Sequence, residues 1–296
     1  MNDFWIAIER RVGAVTGQAF TVRQRRPVGG GCINRAWRAS DGERSYFVKL
    51  NEVAASSMFE AEAAGLAELA ATATVRVPEP ICHGIAKEQS YLVLEYLPLG
   101  GGGPKTMEML GHQLAALHDR PRPYFGWHRD NTIGSTPQPN APCDNWVEFW
   151  RERRLGFQLD LAAANGYGGA LQRQGDALRA RLDGLFVGYR PTPALLHGDL
   201  WSGNAGCTMN GDPAIFDPAV YYGDRETDLA MTELFGGFSE RFYAAYRETL
   251  PLEAGYPQRR TLYNLYHILN HLNLFGGGYR AQAERMMTGL LAELAG

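Results

Sequence analysis

Eight consecutive residues, His197-Gly198-Asp199-Leu200-Trp201-Ser202-Gly203-Asn204, set an aspartate five positions before an asparagine, and Asp217 follows thirteen positions later. Phosphoryl transfer from a nucleotide needs such a set. One carboxylate takes or orients the proton of the attacking hydroxyl, while an amide oxygen and a second carboxylate hold magnesium against the phosphates. Asp199 is therefore the candidate catalytic base, and Asn204 and Asp217 are the candidate metal ligands. His197 fits a brace for the loop better than a proton carrier. Upstream, Gly29-Gly30-Gly31-Cys32 offers backbone amides that can approach phosphates closely. A triple glycine by itself is an ordinary flexible turn, and no Gly-Lys-Ser/Thr follows to make a Walker motif. Its meaning comes from Lys49, which closes the apolar run Tyr46-Phe47-Val48 and would meet the α- and β-phosphates of ATP. The partner expected for Lys49 is Glu62, four residues before Leu66 and seven before Leu69, on the inward stripe of a helix. Glu60 falls on the outer face. In Leu92-Val93-Leu94-Glu95-Tyr96-Leu97 the backbone would read adenine, through the Glu95 carbonyl and the Leu97 amide.

The elements that must position these groups change character along the chain. Residues 20–26, 35–39, 45–50 and 91–97 have the β-branched and aromatic content of strands, with Asp41-Gly42 as a hairpin turn. Residues 1–11 read as an amphipathic helix, and residues 56–71, rich in Ala, Glu and Leu, as another. The Pro98–Pro104 stretch, with four glycines, breaks the pattern. Helical spacing then dominates over 105–118, 145–161, 169–186, 225–235, 239–249, 257–275 and 278–294. Short strands are expected around 195–197 and 214–216, and Asn210-Gly211 turns a hairpin. Asp224 and Asp228 read as helix caps or loop braces. Strands first and helices later, with a crevice between, imply an α+β two-lobed fold. The division is placed at 1–97, a nucleotide-binding lobe, and 98–296, a catalytic and substrate-binding lobe.

Composition narrows the function classes. The chain has 296 residues, 45% hydrophobic and 21% charged, with a net charge of -3. No basic excess points to nucleic acid, and no Lys/Arg cluster points to a lipid surface. No segment has the run of apolar residues that spans a bilayer, so a cytoplasmic protein is expected. The four cysteines, Cys32, Cys82, Cys143 and Cys207, form no CxxC pair, which argues against zinc.

The Asp-Asn-Asp spacing resembles the kinase catalytic loop, with Gly198 where protein kinases carry arginine. That replacement resembles the kinases of small molecules. Over nearly the whole chain the sequence resembles the fructosamine kinase (ketosamine-3-kinase) family, a relative of the aminoglycoside kinases. The motifs that carry the likeness include Gly29 to Asn34, Phe47-Val48-Lys49, Met58 to Glu62, Gly126-Trp127, Asp130-Asn131 and Gly134 to Asn140. Leu196 to Asn204, Phe216 to Glu226, Thr232 to Phe238 and Leu269 to Gly276 complete them. The resemblance implies a protein-kinase-like fold and ATP- and Mg2+-dependent phosphorylation of the sugar 3-hydroxyl of ketosamines. The phosphorylated adduct then sheds its sugar, which amounts to deglycation; ribulosamine and fructosamine adducts of lysine are both candidates. A departure at His128-Arg129 bears on substrate preference only. Trp127 and Trp201 could wall a polyol-amine substrate, and His271 and Asn273 could bond to it; a core role is the alternative for each. Cys32 in the phosphate loop invites a low-pKa thiolate or a disulfide-linked dimer, against a default monomer. The competing readings are an aminoglycoside or choline kinase and a nucleotide-binding pseudokinase. The last would lack one of Lys49, Asp199, Asn204 or Asp217, and all four are present.

Overall fold

In the computed structural model, which describes residues 2–29 and 33–295, the chain opens with helix α1 (Asn2–Thr16). Strands β1 (Gln24–Val28), β2 (Arg35–Ser40) and β3 (Ser45–Glu52) follow, then α2 (Ser56–Ala71), β4 (Pro80–Ala86) and β5 (Gln89–Glu95). The five strands form one antiparallel sheet in the order β1-β2-β3-β5-β4. Period-two alternation divides its faces. Tyr91 and Val93 of β5 face a core shared with Phe4, Trp5, Ile8 and Val12 of α1. Leu92 and Leu94 face the opposite way, into the core that takes in Phe59, Leu66 and Leu69 of α2. Lys49 lies opposite Leu92 and shares that second face.

Two sequence expectations shift here. The first strand begins at Gln24 rather than residue 20, because Phe20 is drawn into the α1 core and the Val22 amide donates to Glu9. Strand β4 is not among the strands expected above; it carries Pro80 and Gly84, residue types that strands disfavour. It is an edge strand that starts at its proline, where no ladder donor is required.

Beyond the sheet come β6 (Leu99–Gly100), α3 (Pro104–His118), β7 (Asn131–Ile133) and β8 (Thr136–Gln138). A helical run follows: α4 (Trp146–Trp150), a π-helical stretch over Arg151–Gly156, and α5 (Phe157–Ala164). Next are α6 (Ala170–Arg181), β9 (Ala194–Leu196), β10 (Ala205–Thr208), β11 (Pro213–Ile215) and β12 (Tyr221–Gly223). Helices α7 (Glu226–Leu234), α8 (Glu240–Thr249), α9 (Tyr256–Phe275) and α10 (Arg280–Glu293) close the described chain. Strand β6 pairs with β10, so the glycine-rich link is stitched to the second lobe. Among the described residues no helix is long and apolar enough to cross a membrane.

The second lobe is organised around α9, buried from Leu262 to Asn270. A polar network beside it holds the β7–β8 hairpin. The Arg154 guanidinium is fully buried, 4.1 Å from the Tyr221 ring centroid, and donates to the Pro139 carbonyl and Asn140 Oδ1. Asn140 and Gln138 both donate to Asn131 Oδ1. Tyr266 of α9 donates to Gln138 Oε1.

Burial, reinforced by His271, lowers the pKa of His267 to about 3. The unfolded chain restores an ordinary value near 6.5, so below that pH the unfolded state binds a proton that the folded state refuses. This stabilising contribution is full above pH ~6.5 and is lost as pH falls toward 3, on the order of 1 kcal/mol by pH 5.5. Urea denaturation at pH 7.5 and 5.5 should therefore show a shallower pH dependence for His267→Gln than for the wild type. The difference between the two proteins isolates this residue from other titrating groups. Equal dependence would show that His267 titrates normally when folded.

Candidate active site

Lys49 is held in mid-strand by β3 and is 4% exposed. Its Nζ lies 2.6 Å from Glu62 Oε1 and 2.6 Å from Asp217 Oδ1. Burial alone would lower the lysine pKa; the charges of Asp217 and Glu62 outweigh it and raise the value, so the ammonium is retained. Glu60 points outward to Arg129 at 3.3 Å and takes no part. The end of the glycine-rich segment is pinned from β3, where Asn51 donates to Asn34 Oδ1. Gly29 is exposed with open space around it. Gly30, Gly31 and Cys32 lie outside the described residues. Glu95 ends β5; its carboxylate turns outward to Arg76, and its amide donates to the Glu79 carbonyl. Leu97 is half-buried two residues on, in the link between the lobes.

The segment from His197 to Asn204 hangs between β9 and β10. Asn204 Nδ2 donates to the Asp199 carbonyl and to Asp199 Oδ2, at 2.9 and 3.1 Å. With that nitrogen so committed, Oδ1 is the atom Asn204 has left for a cation. Burial, then the nearby Asp217 charge, pushes the Asp199 pKa up to about 7. Asp217 itself is 44% exposed at the side chain and adopts φ +57°. That left-handed conformation is uncommon for a residue with a side chain, and its neighbours must impose it. The Phe216 amide donates to the Asn204 carbonyl and the Ala219 amide to the His197 carbonyl. Gln138 Nε2 donates to the Ala219 carbonyl and Asn131 Nδ2 to the Val220 carbonyl. The loop before Asp217 and the hairpin beside it thus grip both flanks of the strained residue.

Burial lowers the pKa of His197, so the ring is neutral. Its Nε2 pairs with the Phe216 carbonyl, an acceptor only, which puts the proton there and leaves Nδ1 to accept from the Asp199 amide. Beneath the loop, Asp228 of α7 accepts the His197 and Gly198 amides at 2.7 and 2.8 Å, and His118 lies 3.2 Å away. Burial would raise the Asp228 carboxyl; the bonds from His118 and the amides hold it below the usual carboxylate range. Gly198 has φ +83°, and a Cβ there would meet the Ala219 carbonyl oxygen at 2.1 Å. The arginine of protein kinases has no room at this position. The sequence gives His118, Asn131 and Gln138 no role of their own, because the groups they meet, Asp228 and Tyr246 for His118 and the Val220 and Ala219 carbonyls for the two amides, are remote along the chain.

The candidate substrate residues separate into two groups. Trp201 is half-buried two residues from Asp199 and packs edge-on to Phe235 at 6.3 Å. Phe235 continues to His271 at 5.0 Å, and His271 to Tyr279 and Phe275. The His271 Nδ1 is 2.7 Å from the His267 carbonyl, which places its proton on Nδ1 and frees Nε2. The other two expectations are corrected. Trp127 is 1% exposed and its Nε1 donates to Glu68 at 2.6 Å, so it offers no wall to a ligand. Asn273 gives its amide hydrogens to Gln158 and accepts from Asn165, so it ties α9 to α5. Phe235 lies in the Thr232–Phe238 motif with no role read for it, and no motif marks Tyr279; only the fold brings both to His271.

Among the described residues no three His, Cys, Asp or Glu side chains gather to hold an ion. Asn204 and Asp217 each offer a hard oxygen donor, and their segments are joined by the bond from the Phe216 amide to the Asn204 carbonyl. This fits magnesium, which keeps water and substrate phosphates in much of its shell. A model of one family, the fructosamine kinases, matches residues 4–293. The chain belongs to the fructosamine kinase family. It is 51% identical over 289 residues to a Synechocystis sp. protein named as a ketoamine kinase, covering 96% of this chain and 95% of that one. It is 44% identical over 270 residues to a protein-ribulosamine 3-kinase of Arabidopsis thaliana, covering 90% and 82%. The crystal structure of a Haemophilus somnus protein assigned to the fructosamine-3-kinases superposes with a TM-score of 0.90 at 30% identity, covering 98% of each chain. The two-lobed, protein-kinase-like architecture of this fructosamine kinase relative is thus shared from end to end.

Proposed function

We propose that this protein transfers the γ-phosphoryl group of ATP to the sugar 3-hydroxyl of ketosamines, the adducts that reducing sugars form with lysine amines. The observation that carries the reading is that Lys49 joins Glu62 to Asp217 while Asn204 is bonded to Asp199, which feels the nearby Asp217 charge, in a chain so similar to a ketoamine kinase. Asp199 takes the hydroxyl proton on Oδ1, because Oδ2 is engaged by Asn204. As the oxygen attacks, a new O–P bond forms and the bond to ADP breaks. Lys49, kept charged by its two carboxylates, holds the α- and β-phosphates, and amides from Gly29 to Cys32 cover them. Adenine is read by the Glu95 carbonyl and the Leu97 amide. Asn204 Oδ1 and the Asp217 carboxylate would hold Mg2+, which neutralises charge on the transferring phosphate.

Trp201, Phe235 and Tyr279 give the amine-bearing sugar an apolar wall, and His271 Nε2 is an acceptor for one of its hydroxyls. We place the lobe boundary at residues 97/98. We read the protein as a cytoplasmic monomer, consistent with its modest net charge and the lack of a spanning helix among the described residues. Chromatography with and without dithiothreitol would reveal a Cys32-linked dimer instead.

A peptide carrying one ribulose-lysine tests the reaction. With ATP and magnesium, mass spectrometry should show a phosphorylated adduct, followed by the unmodified lysine peptide. An adduct that is never phosphorylated would remove the ketosamine assignment.

A further inference from the structure

Three residues of α2 at three-residue spacing, Glu62, Gly65 and Glu68, run down one side of the helix and meet successive residues of the other lobe. Glu62 reaches Asp217 through Lys49. Gly65 lies so close to Val220 that a Cβ would come within 2.8 Å of its Cγ2. Glu68 accepts the Tyr222 hydroxyl on Oε1 and Trp127 Nε1 on Oε2, with Arg122 3.9 Å away. The helix therefore lies in register along residues 217–222. Its far anchor is rigid. Tyr222 and Gly126 exchange two backbone hydrogen bonds, and Tyr222 pairs with Leu195 of β9, the strand that runs into His197.

We propose that Glu68 is a positioning residue for phosphoryl transfer. Through Tyr222 and Trp127 it fixes the register of α2 against the 217–222 segment, and so the place of Glu62 and Lys49 relative to Asp217. A hydrophobic residue in its place would fill the space without setting position along the helix axis. Two directional bonds to one carboxylate do set it, since charge-assisted bonds are short and strong. The Glu68 carboxylate touches neither nucleotide nor acceptor; it acts through the helix. This inference rests on the roles given above to Lys49 and Asp217.

The test compares wild type, Glu68→Gln, Tyr222→Phe and Trp127→Phe by steady-state turnover of ribulose-lysine, by calorimetric binding of Mg2+–ATP, and by urea denaturation. Glu68→Gln should lower kcat about tenfold and weaken Mg2+–ATP binding, because misplacement of reacting groups costs rate, while the KM for ribulose-lysine stays within about twofold of wild type. Tyr222→Phe, which removes one hydroxyl and leaves the ring, should show the same split to a smaller degree and decides the matter if Glu68→Gln does not fold. In the double variant Glu68→Gln/Tyr222→Phe the loss in kcat should be smaller than the product of the two single losses, since both substitutions disturb the same Glu68–Tyr222 bond. A purely structural role would shift the urea midpoint alone, and unchanged kcat and unchanged Mg2+–ATP binding in the folded variants would overturn the proposal. If the wild type ignores ribulose-lysine but Glu68→Gln still weakens Mg2+–ATP binding, the substrate reading falls and the positioning role stands.

Discussion

Asp199→Asn should fold and bind ATP as the wild type does, while kcat falls on the order of 10³-fold, within the range for removing a positioned general base. The amide has the size of the carboxylate and keeps an oxygen for the Asn204 bond seen at 3.1 Å. What it loses is the ability to take the hydroxyl proton. In the proposed arrangement Lys49 and other residues make the ground-state contacts of the nucleotide, so its affinity should be unchanged. Steady-state kinetics beside calorimetric ATP binding separates the two effects. Turnover within a factor of a few of wild type would take Asp199 out of the mechanism.

Asp217→Ala should abolish the magnesium-dependent part of ATP binding and lower kcat/KM by at least about 100-fold, since even outer partners of a metal site are worth 10–100-fold. It removes the proposed cation ligand and one of the two carboxylates on Lys49, leaving Glu62 alone with the ammonium. Alanine also tolerates the φ of +57° less well than aspartate, so stability should fall as well. Asp217→Asn distinguishes these effects. Asparagine accepts the left-handed conformation and keeps one oxygen donor, so it should fold normally with magnesium dependence reduced rather than lost. ATP affinity that responds to magnesium equally in wild type and Asp217→Ala would reject the ligand role.

The parts of this fold legible in the sequence are those whose signals are local. Helix α2 shows itself by composition, and the i+4 relation of Glu62 to Leu66 indicates which glutamate turns inward to Lys49. The hairpin at Asn210-Gly211 and the Asp199-to-Asn204 spacing are local in the same way. Strand β4 and the β7–β8 hairpin are hidden because their prolines and glycines mimic loops, and only pairing partners distant in the chain make them strands. Trp127 illustrates the limit at the site. A tryptophan in a loop reads as a ligand wall until the fold sets Glu68 at its indole nitrogen. Asn273 fails in the same manner, since a polar residue near a helix end looks available until Gln158 and Asn165 take up its amide. Gly198 is the reverse case. Its departure from the protein kinase pattern is visible in sequence, but its reason, the Ala219 carbonyl at 2.1 Å from any Cβ, is purely tertiary.

The central claim is that this cleft phosphorylates ketosamines, and coupled ADP release tests it most directly. The panel is ribulose-lysine, fructose-lysine, choline and kanamycin, each with ATP and magnesium, with Asp199→Asn as control. Turnover confined to the sugar-lysine adducts and lost in the variant is the predicted result, and it ranks the two sugars. Turnover of choline or kanamycin with none of the adducts would contradict the substrate assignment, and silence across the panel would contradict the claim that this cleft is a ketosamine kinase.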